Sequence, residues 1–249
     1  MKRAEYDVMA AAENRLWWYR GLHRLVVQGL TRYLSACAVP LIVDVGCGTG
    51  GTFRAVHAAM PRIRYVGLDL EPAALEHCRG RGIRSLVQAS ASAMPLRPQS
   101  ADALVCLDVL CYRDVDPAAA LQRFFEVLRP GGLLVVNLPA FKSLRGEHDV
   151  AVGIARRFRA PELQALCQRT GFDILLLTYW NAALFLPLWV WRRLSRGAGE
   201  AQATSDTARS PRWLNALLTG LVLSEVGLTR WFRWPCGSSV LVVARRPSA

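Results

Sequence analysis

The run Leu41-Ile42-Val43-Asp44-Val45 stops at a glycine cluster, Gly46-Cys47-Gly48-Thr49-Gly50, and a helical pattern begins at once at Gly51. A short apolar run closed in this way reads as a buried parallel strand, because glycines let the chain turn sharply into a helix. A sheet made of such strands must be covered on both faces, so helices are required on either side. The sequence supplies them. Helical patterns over 51–60, 72–79, 117–128 and 160–170 alternate with apolar runs over 64–70, 83–88, 102–108, 133–138 and 172–179. This alternation predicts an α/β fold with a doubly wound parallel sheet, and the β-rich run 239–244 adds a final strand to the same domain.

At 249 residues and 52% hydrophobic, the chain suits one large domain with a full core. Its seven cysteines (37, 47, 78, 106, 111, 167 and 236) form no CxxC pair and mostly sit in apolar runs. They read as small buried hydrophobes in a reducing compartment, with no disulfide and no metal site expected. The N-terminal residues carry scattered charges and no continuous apolar stretch, so neither a secretory signal nor an anchor is expected and the cytoplasm is the expected location. Ile174 to Trp191 lacks charge over 18 residues, but Thr178, Asn181 and Pro187 interrupt it, and a strand followed by a short amphipathic helix fits it. Residues 195–212 read as a mobile linker, rich in Ala, Ser, Thr and Gly. Trp213 to Trp231 resumes as an amphipathic helix whose apolar set is Leu214, Leu217, Leu218, Leu221 and Val222.

The formal charge of +12 rests on 31 basic residues, of which all but Lys2 and Lys142 are Arg. Such a bias reads as a compositional habit and is weak evidence for nucleic acid. Its distribution says more, since residues 188–249 hold nine Arg against Glu200, Asp206 and Glu225.

Asp69 ends the second strand 19 residues after Gly50, where a carboxylate can accept both ribose hydroxyls of an adenosine. With the glycine turn, this makes two agreeing features, and here the sequence resembles the class I S-adenosylmethionine-dependent methyltransferases, in particular the bacterial small-molecule group. Val43 to Gly50 matches their first motif, and Asp69-Leu70 the ribose-binding acid with its apolar neighbour. Gln88 to Leu96 matches the adenine-reading segment, Ala103 to Leu110 the fourth strand beside the methyl donor, and Leu128 to Gly132 the turn before the fifth strand. The resemblance implies a Rossmann-like seven-stranded sheet with a final antiparallel strand and helical additions at both ends. Residues 1–36 would form an N-terminal helical lid, 40–180 the cofactor-binding core, 181–235 a helical insertion and 236–245 the terminal strand. It also implies S-adenosylmethionine as cofactor, held by Asp44, Gly46, Cys47, Gly48, Gly50, Asp69, Leu70, Ser90, Ala91 and Leu107. Ser90 departs from the family, which commonly has Asp there, so the Ser90 hydroxyl or the Ala91 amide must meet the adenine amino group. The flanks, Glu5-Tyr6-Asp7 with Trp17-Trp18-Tyr19-Arg20, Glu147-His148-Asp149 with Arg156-Arg157-Phe158, and Pro235 to Ser239, resemble a narrower subset mostly without an assigned substrate.

An acceptor that must lose a proton needs a base, and His148 is the candidate, because it sits in a polar loop, Glu147-His148-Asp149, after the fifth strand at the edge where such sheets bind ligands. His23, His57 and His77 read as structural or surface residues. Tyr112, just past the fourth strand, is the candidate for lining the acceptor site. Trp17, Trp18 and Tyr19 are consecutive and cannot all face the core, which suits a lid over the site. Arg156 and Arg157 could hold an acidic acceptor. The aromatic and Arg-rich C-terminal third favours a small hydrophobic acceptor, of lipid, isoprenoid or polyketide type, with an anionic membrane surface as a further partner. Two alternatives remain at this point, a nucleic-acid methyltransferase and a non-catalytic cofactor-binding regulatory subunit.

Overall fold

The computed structural model describes residues 3–194 and 211–248, without the side chains of residues 4, 147, 148, 151, 188 and 191–194. Strand β1 (Leu41–Val45) pairs on one side with β2 (Arg64–Asp69) and on the other with β4 (Ala101–Leu107). Beyond these lie β3 (Ser85–Gln88), β5 (Leu128–Pro139), β7 (Ser239–Arg245) and β6 (Asp173–Trp180), giving the order β3-β2-β1-β4-β5-β7-β6. β7 alone runs antiparallel, between β5 and β6. The expected seven-stranded, Rossmann-like sheet is therefore present.

Alternate strand residues feed two cores. Val43, Val45 and Leu104 pack under α5 (Pro117–Val127) and α7 (Ala160–Thr170) with Leu121, Phe124 and Leu163. Ile42, Val105 and Val135 pack on the other face under α2 (Trp17–Tyr33), α3 (Gly51–Ala59), α4 (Pro72–Gly80) and α9 (Arg212–Leu228), with Leu25, Val56, Leu75 and Val222. The helix leaving β1 and the helix leaving β4 thus cover opposite faces, and the gap between those strand ends is the place where doubly wound sheets bind ligands. Local signals set the helix ends. Pro72 and Pro117 stand in first turns, the Asp116 carboxylate accepts the Ala118 N–H at 2.9 Å, and Gly171 caps α7 in the left-handed conformation. The remaining helices are α1 (Arg3–Ala12), α6 (Glu147–Val152) and α8 (Phe185–Leu194).

α2 packs against α9 at Gly21, where there is no room for a side chain. A Cβ there would sit 2.3 Å from Val222 Cγ1 and 3.2 Å from the Trp180 ring. Val is stiff, so Gly21→Ala is expected to cost about 1–3 kcal/mol, read by chemical denaturation; unchanged stability would show that the two helices can separate freely.

The structure differs from the sequence reading in two places. Glu147 to Asp149 belong to the short helix α6 rather than to a loop, because the Asp149 carboxylate accepts the Gly146 N–H at 2.9 Å and Gly153 ends the helix with φ +81°. On α9 the buried residues are Thr219, Val222, Glu225 and Val226, whereas Leu217 and Leu221 point to solvent. Glu225 turns inward because its carboxylate accepts the N–H groups of Ala182 and Ala183 ahead of α8, at 2.9–3.2 Å. The linker 195–212 falls, except for Pro211 and Arg212, outside the described residues. Among the described residues no helix is long and apolar enough to cross a membrane.

Candidate cofactor and acceptor site

The turn after β1 is held by backbone bonds from Gly46 and Cys47 to the Leu68 carbonyl, at 2.7 and 3.0 Å. Gly46 has φ +72°, and a Cβ on it would lie 2.2 Å from Val109 Cγ2, so the turn can pass the end of β4 only as glycine. Asp69 closes the arrangement, its carboxylate accepting the Gly48 N–H at 2.9 Å and the Glu71 N–H at 3.0 Å. Burial raises the Asp69 pKa, and the N–H donors pull it back down. The acid predicted to hold a ribose is thus tied to the glycine turn from across β2. Beside it Leu70 is exposed, Ala91 is buried and Ser90 is half-buried.

Asp44 takes a different position. Its carboxyl is buried on the α2 side of the sheet, where it accepts the Tyr65 O–H and a bond from Thr52, and burial pushes its pKa up to about 7. These bonds tie β1 to β2 and to the start of α3. Cys47 is buried there too, its Sγ 3.7 Å from that of Cys78.

α1 and the turn into α2 roof this region. Tyr6 is buried and its phenol is pushed up by burial first and then by Asp69 and Glu71, with Tyr112 and Cys47 also in range. Met9 Cε lies 2.8 Å from where a Gly48 Cβ would stand. Glu13 is buried, accepts the Thr49 hydroxyl at 2.6 Å and pairs with Arg81, and it receives the Gly51 N–H at the start of α3. A carboxylate at that position complements the positive end of α3. Burial raises its pKa, and these donors oppose the rise. His23 lies alongside and stays neutral at pH 7, its imidazole held down at about 4 by burial and then by Arg81.

A second constellation forms where β4, β5 and β6 end. Asp108 follows β4 with φ +56°, a left-handed conformation that Asp tolerates better than most residues. Its carboxylate accepts an N–H of the Asn137 amide at 3.0 Å, and the Asn137 carbonyl accepts the Trp180 indole N–H at 2.7 Å. Trp180 in turn packs on Trp18 with ring centroids 5.7 Å apart. Burial raises the Asp108 pKa to about 7 against the pull of Asn137 and Arg157. Burial first pushes up the phenols of Tyr112 and Tyr19; Cys111, Asp108 and Asp69 add to the first, and Glu13 and Asp108 to the second. Phe141, also left-handed at φ +54°, stacks on Tyr179 at 4.8 Å and meets Phe185 at 5.1 Å, an aromatic wall beyond β5.

The other predicted residues divide. Leu107 ends β4 beside Asp108, and the half-buried Trp17 donates its backbone N–H to Asn215 of α9 at 3.0 Å. Arg157 is buried and fully engaged, with Nε and one terminal nitrogen on Asp149 at 3.0 and 2.7 Å and the other on the Ala140 carbonyl at 2.8 Å. It anchors α6 to the end of β5 instead of reaching toward an acceptor. Arg156 reaches the Arg113 carbonyl at 3.3 Å. His148 is on α6 and its side chain is outside the described residues. Glu13, Tyr6, Asp108 and Asn137 were not singled out as site residues. For Asp108 a signal existed, since it directly follows the fourth apolar run.

Residues 43–136 match the family model of a methyltransferase domain. A protein of Mycolicibacterium smegmatis named "Probable S-adenosylmethionine-dependent methyltransferase" is 30% identical over 173 residues, 68% of this chain and 64% of that protein, so the chain spans less than two thirds of this relative's length. Among solved structures, a chain from the complex of the Haloferax volcanii Trm112 methyltransferase activator with a methyltransferase superposes with a TM-score of 0.63 at 19% identity, covering 99% of this chain and 98% of the other. A geranyl diphosphate methyltransferase solved with S-adenosylmethionine gives 0.58 at 18% identity, over 90% and 85%. The strand order, the glycine turn with Asp69 and the matched domain define a class I methyltransferase core. Residues 43–136 are thus a methyltransferase domain, and the chain is similar to the S-adenosylmethionine-dependent methyltransferases over 68% of its length.

Proposed function

We propose that this chain, in the cytoplasm, transfers the methyl group of S-adenosylmethionine to a small hydrophobic acceptor of lipid, isoprenoid or polyketide type. The observation that carries the reading is the meeting of the glycine turn with the end of β4: Gly46 stands against Val109, the residue after Asp108, so the Asp69 end and the Asp108 end are neighbours. The residues present fit the cofactor: Gly46, Gly48 and Gly50 take the left-handed backbone (φ +72°, +52° and +85°) that carries the chain tightly from β1 into α3, and Asp69 at the end of β2 supplies the ribose acceptor. When bound, S-adenosylmethionine supplies an electrophilic methyl group on a positively charged sulfur. Leu70, Ser90, Ala91 and Leu107 flank its base and methyl ends in this proposal. Tyr6, Trp17, Trp18 and Tyr19 exclude water from above, and Tyr112 and Phe141 line the acceptor end.

Asp108 is the proposed base. It takes a proton from the acceptor only when ionised, and Asn137 and Trp180 hold its carboxylate in place. His148, on α6 at the same sheet edge, remains the second candidate. The geranyl diphosphate enzyme that shares the fold makes an isoprenoid chain one acceptor class to try first.

Release of S-adenosylhomocysteine in the presence of a lipid extract, but not RNA, is the expected result. Turnover with RNA would replace this reading by a nucleic-acid methyltransferase, and cofactor binding without turnover on either by a regulatory subunit. Asp69→Ala removes charge-assisted bonds to the ribose and should weaken S-adenosylmethionine binding by about 2 kcal/mol, or roughly 30-fold, in calorimetry. Unchanged affinity would remove Asp69 from the site.

A further inference from the structure

The outward face of α9 is apolar where a surface helix would ordinarily be polar. Trp213, Leu217, Leu221 and Leu228 stand at helical spacing on it, with Trp213 69% and Leu217 62% exposed, and only Ala216, Gly220 and Ser224 lie between them. Seventeen residues make this stripe about 25 Å long. It continues past the helix end into Trp231, 81% exposed, and Phe232, 50% exposed. No acidic residue lies on the stripe. Its rim carries the exposed Arg212, Arg230 and Arg233, none of which forms an ion pair among the described residues.

At the C-terminal ends of α2 and α9 the rim opens into a cleft of about 330 Å³, lined by Gln28, Thr31, Arg32, Thr229 and Arg230 over Leu25 and Leu176. The Arg32 guanidinium donates to the Arg230 carbonyl at 3.4 Å, so both cations border the same cleft without a carboxylate. An apolar bed with indoles at its two ends and guanidinium groups on its rim matches the layering of a lipid surface, where aromatic rings sit at headgroup level and Arg meets phosphate.

We propose that the outer face of α9, with the Arg32–Arg230 cleft, docks on an anionic phospholipid bilayer. Leu217, Leu221, Leu228 and Phe232 enter the acyl boundary, Trp213 and Trp231 sit at the headgroups, and Arg32 and Arg230 hold lipid phosphates. A second copy of this chain is disfavoured as occupant, because a two-fold contact would set one arginine rim against another. None of these residues is among those proposed to hold the cofactor or acceptor, so docking does not depend on which acceptor is methylated.

The test is flotation of the full chain with phosphatidylcholine vesicles, with and without phosphatidylglycerol. Binding is expected only to the anionic vesicles and is reversed by high salt. Arg230→Glu changes two charges at about fivefold each and should weaken it about 25-fold. Leu217→Ser should also weaken it, while both variants keep wild-type S-adenosylmethionine affinity and melting temperature. Absence of binding to anionic vesicles overturns the proposal, as does equal binding to neutral ones. Light scattering that shows a dimer lost in Leu217→Ser, without vesicle binding, assigns the stripe to self-association instead.

Discussion

Asp108→Asn is expected to lower turnover by about two to four orders of magnitude while leaving S-adenosylmethionine affinity intact. Asn suits the test, because it tolerates the left-handed backbone at φ +56° and keeps an oxygen for the Asn137 amide. What it lacks is basicity. Because burial raises the Asp108 pKa to about 7, the wild-type rate should climb as pH rises through about 7, and the variant should lose that limb. Stability runs the other way. The folded state keeps the Asp108 proton to about pH 7, whereas an unfolded Asp loses it near 4, so this group's contribution is full below about 4 and is lost as pH rises to about 7. Asp44, also raised to about 7, adds to the same slope. Steady-state rates for Asp108→Asn and His148→Ala, measured side by side, decide between the two candidates. Wild-type turnover in Asp108→Asn would leave that residue only the role of anchoring Asn137.

Arg157→Leu should be the most damaging single change for stability. Asp149 is 0% exposed and Arg157 9%, and removing the guanidinium leaves a buried carboxylate without its main partner. Breaking such a pair costs about 3–5 kcal/mol, on the order of 10 °C in melting temperature for a chain of this size. The double variant Arg157→Leu/Asp149→Leu should recover part of the loss, because no charge then stays behind. A shift below about 2 °C in the single variant would mean that water reaches Asp149 readily.

The strands were legible because each is a short apolar run ended by turn residues, and Val43 to Gly50 placed the glycine turn between β1 and α3 directly. Asp69 was legible through its spacing from that turn. What the sequence hid was made by residues distant along the chain. Asp108 just past β4, Asn137 on β5 and Trp180 on β6 meet only when β4, β5, β7 and β6 are assembled. Arg157 looked free because its partner Asp149 lies in a stretch without helical periodicity, ordered by the pair itself. On α9, counting leucines could not reveal which face is covered. Glu225 settled that by turning inward to cap the backbone at Ala182 and Ala183, which left Leu217 and Leu221 outside.

The placement of β7 has a consequence for how the chain reaches this state. β7 joins β5 to β6 through antiparallel ladders on both its edges, and its pairing with β5 links residues about a hundred positions apart, such as Val135 and Val243. During synthesis, β5 and β6 are made well before their common neighbour and each presents an open edge meanwhile. Closure of the sheet therefore waits on translation through residue 245, and such a distant pairing makes the step slow. The nascent chain is most exposed to aggregation in that interval, so slowing the ribosome between β6 and β7 should lower the soluble yield more than a pause placed after β7.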